Sequence, residues 1–192
     1  MHHKQQSELR TREQGITPCF ADLYDAHMSF VWRNLRRLGV PESALDDALQ
    51  DVFLVVHRRL AEFEHRSALR TWLFAILRRV ASEYRRKTER TNCHEELDPE
   101  QRDSATGSPY EALARTQAVE QLCEVLDKLE ESRREVFVLV ELEQMPGPDA
   151  AEALGLNLNT MYTRLRSARL EFEREAARLR TLNESGRANA RT

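Results

Sequence analysis

The stretch from Ser67 to Lys87, SALRTWLFAILRRVASEYRRK, constrains this chain more than any other. Laid on a helix, Leu69, Trp72, Leu73, Ile76, Val80 and Tyr84 recur at three- and four-residue steps and form one apolar stripe. Arg70, Arg78 and Arg85 fall on the opposite side, with Arg79 and Arg86 on a flank. Such a helix anchors in a core by one face and presents guanidinium groups outward, an arrangement suited to phosphate.

The rest of the sequence offers that helix helical partners. A chain of 192 residues with 41% hydrophobic content has room for one ordinary domain or two small ones. Only six glycines and six prolines, with 7% aromatic and 32% charged residues, favour an all-α fold with short connections. The net charge of −3 does not exclude a nucleic-acid partner, because arginines crowd two helices while acids collect elsewhere. No apolar run approaches membrane-spanning length, and MHHKQQSELR lacks the apolar segment of a secretory signal, so no membrane insertion and a cytoplasmic location are expected. Cys19, Cys93 and Cys123 are odd in number and widely spaced, which argues against a disulfide framework. Cys93-His94 falls short of a ligand set, so no metal and no cofactor is expected.

Residues 1–15 are polar and unpatterned, and a mobile tail is expected there. Thr17-Pro18 supplies an N-cap and a proline at the first helical position, and a helical period runs from Phe20 through Leu23, Tyr24, His27, Met28, Val31 and Leu35 until Gly39 ends it. Pro41 opens a second helix, whose Leu45, Leu49, Val52, Phe53, Val56 and Leu60 form a stripe. Its other face carries Asp46, Asp47, Gln50 and Asp51. The pattern alone leaves two readings, a solvated face favoured by the helix dipole or a protein-docking patch, and the first weighs more. With the Ser67 cap and the basic helix, these segments form a three-helix bundle over residues 16–87.

From Thr88 to Gly107 the sequence is acidic and nearly without apolar residues, the composition of a flexible linker. A second helical domain of four helices then spans residues 108–181, with a disordered tail at 182–192. Ser108-Pro109-Tyr110-Glu111 and Ser132-Arg133-Arg134-Glu135 both have capping-box spacing. A short helix from Gly147, a glycine turn at Gly155, an Asn157 cap and a longer helix from Leu158 follow, with Met161, Leu165, Ala168, Phe172 and Leu179 on one stripe. This is the helix-turn-helix arrangement, whose second helix enters the DNA major groove. Its outward residues Asn159, Thr160, Thr163, Arg164 and Ser167 are types that reach base edges and phosphates, where a merely solvated face would use Glu and Lys.

Together, ALDDALQDVFLVVHRRLAEFEHRSALRTWLFAILRRVASEYRR resembles region 2, and VLDKLEESRREVFVLVELEQMPGPDAAEALGLNLNTMYTRLRSARLEF resembles region 4, of bacterial extracytoplasmic-function (ECF) sigma factors. The resemblance implies that Asp47, Gln50, Asp51 and Phe53 dock on core RNA polymerase, reversing the weight given to a solvated face. It implies that Phe63, Glu64, His65, Arg66 and Ser67, at the loop before the basic helix, capture a base flipped from the minus-ten element. Arg70, Arg78, Arg79 and Arg85 would hold the opened DNA, while Phe74, expected to project among them, either stacks on a base or packs under the preceding loop. Asn159, Thr160, Thr163, Arg164 and Ser167 would read the minus-thirty-five element. A cognate anti-sigma factor is a further implied partner.

The chain leaves the family's pattern at His57, Arg79, Gly147 and Ala150, where Trp, Asn, an aromatic and Ile are common. Gly147 and Ala150 predict a helix-turn-helix less stable by roughly 1 to 3 kcal/mol through lost burial. The rival reading is a stand-alone helix-turn-helix regulator, which would need a dimer seam or ligand pocket that the sequence does not offer. An enzyme with a small-molecule substrate is not expected: the histidines share no helical spacing, and no Gly-rich phosphate loop or nucleophile elbow occurs.

Overall fold

The computed structural model describes residues 19–63, 68–91 and 109–189, and side chains within 19–63, 68–90 and 117–182. The first helix, α1, runs Phe20–Arg37 and buries Leu23, His27, Phe30, Val31, Asn34 and Leu35 at three- and four-residue steps. Its start lies past the expected Thr17-Pro18 cap, which is outside the described residues. Gly39, at φ +84°, turns the chain in the left-handed region and lets Val40 N–H return to the Leu35 carbonyl at 3.1 Å.

A single 3₁₀ turn, Glu42–Ala44, follows Pro41 and leads into α2, Leu45–Arg59, which buries Leu45, Ala48, Val52, Phe53 and Val56. Helix α3, Leu69–Thr91, carries the basic stretch and runs four residues past the expected end at Lys87. Helices α1, α2 and α3 pack against one another as the expected three-helix bundle.

The described residues of the second half form four helices, α4 Pro109–Lys128, α5 Glu131–Phe137, α6 Gly147–Leu154 and α7 Leu158–Asn189. The capping box expected at Ser132 is displaced by two residues. Glu130 is the N-cap, accepting from Ser132 N–H at 3.1 Å and from the Ser132 hydroxyl at 2.6 Å. Those bonds, the hydroxyl first, hold the Glu130 carboxyl below the usual carboxylate range. Helix α5 does not continue as one α-helix: Val138–Leu142 is a π turn, closed by Glu143 N–H donating to the Val138 carbonyl at 3.0 Å, and Gln144 follows at φ 54°. Helix α7 continues to Asn189, so the tail expected from residue 182 is helical over most of its length.

The short α6 ends at Gly155 in the left-handed region (φ 65°), and Asn157 Oδ1 caps α7 by accepting from Thr160 N–H at 2.8 Å. Phe137 stacks on Phe172 with ring centroids 4.4 Å apart, and Arg133 donates to Glu171 at 2.9 Å, tying α5 to α7. Helix α6 packs against both α7 and α3, so the buried apolar residues of the two halves form one continuous cluster. No described helix is long and apolar enough to cross a membrane, and the described residues contain no strand.

Candidate polymerase and promoter interfaces

Three surfaces carry the expected site residues. The first is the outward face of α2. Asp46, Asp47, Gln50 and Asp51 are exposed on it, and Leu54, one turn beyond, is 46% exposed. An apolar side chain left open beside three carboxylates gives the face both charge and something to bury. Phe53, expected to belong to this surface, is in the core instead, with its ring 4.5 Å from Tyr24 and 6.3 Å from Phe20. The unusual His57 completes that aromatic group, meeting Phe20 edge-on at 4.9 Å.

Tyr84 of α3 reaches across to this face and donates its hydroxyl to Asp51 Oδ2 at 2.7 Å. Burial, then the bond to Asp51 and that carboxylate's charge, push the phenol up to about 12. The Tyr84 contribution to stability is therefore whole below its ordinary value of 10.0 and is lost as pH rises from there through about 12. Absorbance titration of tyrosinate should resolve one late phenol in this protein, and Asp51→Asn should bring it back toward the ordinary value.

The second surface is α3. Phe63 at its approach is packed against Trp72, ring centroids 5.1 Å apart, and Glu64, His65, Arg66 and Ser67 lie outside the described residues. Phe74 does not project from the basic face. It is fully buried, on the same side of the helix as Arg70 and Arg78, because that side is covered by the second half of the chain. Arg78 donates to Glu135 at 3.2 Å, Arg85 pairs with Glu131, and Arg70 lies 3.9 Å from Glu143 while its guanidinium sits over the Phe30 ring. Of the five arginines that the sequence puts on this side and its flank, Arg79 and Arg86, the flanking pair, are the ones left exposed.

The third surface is the first part of α7. Asn159 and Thr163 are exposed there, with the Thr163 hydroxyl donating back to the Asn159 carbonyl at 2.9 Å. Thr160, Arg164 and Ser167 are half-buried, and Arg164 lines a cleft of about 420 Å³ with Arg78, Arg79 and Glu135. Tyr162, 51% exposed, and Arg166 share the open arc with Asn159 and Thr163. Sequence reading passed over both, although the steps 159, 162, 163 and 166 are those of one helix face.

Tyr162 also accounts for one departure. A Cβ at Gly147 would lie 2.5 Å from Tyr162 Oη and 3.0 Å from its Cζ, so the tyrosine occupies the space an aromatic at position 147 would take. Ala150 is fully buried on α6, between α3 and α7. At Gly147 the tyrosine thus supplies packing that an aromatic at that position would otherwise give, while Ala150 is a smaller buried side chain than the Ile common there. Among the described residues, no group of three or more His, Cys, Asp or Glu side chains is placed to hold a metal ion.

Residues 23–91 match sigma-70 region 2, and residues 120–172 match sigma-70 region 4. This chain belongs to the sigma-70 family of RNA polymerase sigma factors. Region 2 is thus α1 to α3, region 4 runs from α4 into α7, and the order is that of ECF members. The chain is 29% identical over 167 residues to the RNA polymerase sigma factor NccH of Alcaligenes xylosoxydans xylosoxydans, covering 85% of this chain and 89% of that one. It is likewise 29% identical over 167 residues to YlaC, an RNA polymerase sigma factor of Bacillus subtilis strain 168, covering 86% and 94%. Its fold resembles that of CnrH in complex with the cytosolic domain of CnrY (TM-score 0.63, 24% identity, 88% of this chain and 95% of that). It also resembles the sigma factor RpoE in complex with the anti-sigma factor NepR from Bartonella quintana (TM-score 0.58, 22% identity, 79% and 95%). Sigma factors are regulatory initiation factors, and this one carries both of the family's helical regions.

Proposed function

We propose that this sigma factor binds core RNA polymerase through the acidic face of α2, reads a minus-ten element with α3 and the loop before it, and reads a minus-thirty-five element with the start of α7. The observation that carries the reading is the pairing, on one chain and in family order, of an exposed carboxylate face with a capped helix-turn-helix. Asp47, Gln50 and Asp51 are the docking groups, with Leu54 as the apolar contact and Phe53 holding the helix from beneath. Arg79 and Arg86 are available to DNA phosphates as the protein stands; Arg70, Arg78 and Arg85 become available when region 4 moves off α3. Catalysis belongs to the polymerase, and this chain supplies promoter choice and binding energy for opening the duplex.

Since CnrH and RpoE were solved with CnrY and with the anti-sigma factor NepR, a cognate anti-sigma factor is part of this proposal for the present chain. Run-off transcription tests the reading against a stand-alone helix-turn-helix regulator. The full chain added to core polymerase should start RNA at a defined promoter, and a protein that binds promoter DNA but forms no complex with core is the rival regulator.

Arg164→Ala should weaken discrimination between matched and scrambled upstream elements by about 1 to 3 kcal/mol, the worth of a bidentate base contact. Competition binding by the holoenzyme measures this. A loss equal on all sequences would make Arg164 a phosphate contact and move base reading to the more open Tyr162 and Arg166.

A further inference from the structure

Region 4 meets region 2 through a seam of segregated charge. The carboxylates in it belong to region 4, namely Glu131, Glu135 and Glu143, and the guanidinium groups they meet belong to region 2, namely Arg33, Arg37, Arg70, Arg78 and Arg85. Glu143 is the most enclosed, with a side chain 4% exposed. It accepts from Arg33 Nε and Nη2 at 3.0 Å each and from Arg37 Nη1 at 2.6 Å.

The backbone is shaped to make that row. Glu131 and Glu135 are one turn apart, but in an unbroken α-helix the residue eight positions beyond Glu135 would stand about 80° from Glu135 and about 120° from Glu131 at 100° per residue. The extra residue taken up by the π turn at Val138–Leu142 brings Glu143 back to within about 20°. Helix α3 meets the row with Arg70, Arg78 and Arg85, and Phe74 lies buried between the first two. Gly39 fits the same seam. A Cβ there would run into the Arg134 guanidinium, which donates to the Leu38 carbonyl at 3.2 Å.

We propose that Glu131, Glu135 and Glu143 are a built-in competitor for promoter DNA: they occupy the arginines of α1 and α3 and keep the free protein closed. The inference rests on the reading of α3 and α7 as promoter-contacting surfaces. A carboxylate and a phosphate present the same paired oxygens to an arginine fork, so the two ligands exclude each other at these groups. Closure also places Arg79 of α3 and Arg164 of α7 on one cleft. Elements centred roughly 25 base pairs apart are separated by about 85 Å along the duplex at 3.4 Å per pair, so the closed protein cannot engage both. Arg33, Arg70 and Arg78 keep part of their surface in water, which lets the seam exchange partners without exposing a dry core of charge.

The test uses the full chain without polymerase. Small-angle scattering of the wild type should give a radius of gyration near that of a single compact body, about 16 Å for this length. The double variant Glu135→Gln/Glu143→Gln should be larger while its helical circular dichroism is unchanged. It should also bind fluorescein-labelled single-stranded DNA on the order of tenfold more tightly, because apparent affinity scales with the open fraction. Exchanging the charges of one pair, Arg78→Glu with Glu135→Arg, should keep the compact size, which separates a specific seam from general loosening. A double variant that stays compact overturns the proposal, and so does one that expands without gaining affinity for DNA. The functional reading fails by a different result, the absence of promoter-directed RNA when wild-type protein is mixed with core polymerase, whatever its size in solution.

Discussion

Asp47→Arg is expected to lower affinity for core polymerase by roughly 100-fold or more while leaving the fold intact. Placing a cation where a carboxylate meets a basic partner exchanges attraction for like-charge contact, which costs several kcal/mol, and about 1.4 kcal/mol is a factor of ten. The price within the protein is far smaller. Asp47 is exposed in the first turn of α2, where a positive charge opposes the helix dipole by only about 0.3 to 1 kcal/mol. Co-elution with core and thermal melting are the two measurements. Glu124→Arg, an exposed site on α4 with the same change in net charge, is the control and should leave core binding unchanged. Equal losses from Asp47→Arg and Glu124→Arg would show long-range charge rather than docking on α2, and an unchanged affinity for Asp47→Arg would remove the docking assignment.

Local chemistry made much of this fold legible. Gly155 and Asn157 announce the helix-turn-helix because a left-handed turn and an N-cap need those residue types wherever they occur, and both do that work here. The stripes of α1 and α2 were equally readable, since each packs one face on its neighbours. Helix α3 was harder. Its period showed an apolar stripe and an arginine side, but a single helix cannot announce that a second domain will cover the arginine side, so the sequence left Phe74 between stacking on a base and packing under the preceding loop, and the structure buries it. The π turn left no sequence signal at all: Val138–Leu142 reads as ordinary apolar helix, and only the backbone shows the extra residue that aims Glu143. On the first part of α7, residue type drew attention to Thr160, Arg164 and Ser167, whereas exposure favours Tyr162 and Arg166 beside Asn159 and Thr163. A tyrosine on a solvent arc carries no polar signature in a pattern search, although its ring is what fills the space above Gly147.

Arg134→Ala is expected to be the most destabilising single change at the junction of the two regions, by about 3 kcal/mol or more in urea unfolding. The guanidinium is buried and closes the ends of two helices at once. It donates to the Leu38 carbonyl at the end of α1 (3.2 Å), and to the Asp127 and Leu129 carbonyls at the end of α4 (3.0 and 3.2 Å). Its remaining bond, 3.1 Å, is to Asp127 Oδ1. Burial pushes the Arg134 guanidinium below its ordinary value even with Asp127 beside it, so the charge itself is held at a cost and the donors are what the site requires. Without them, terminal carbonyls of α1 and α4 are left unpaired in the interface, each at about 1 to 3 kcal/mol. Arg134→Lys keeps the charge but not the planar fork, and one ammonium cannot reach carbonyls on both helices, so it should recover only part of the loss. Asp127→Asn is the deciding comparison. The Asp127 side chain is about half exposed, and an ion pair in that setting is worth at most about 1 kcal/mol. If Asp127→Asn instead cost as much as Arg134→Ala, the ion pair and not the capping of two helices would be what joins the regions at this point.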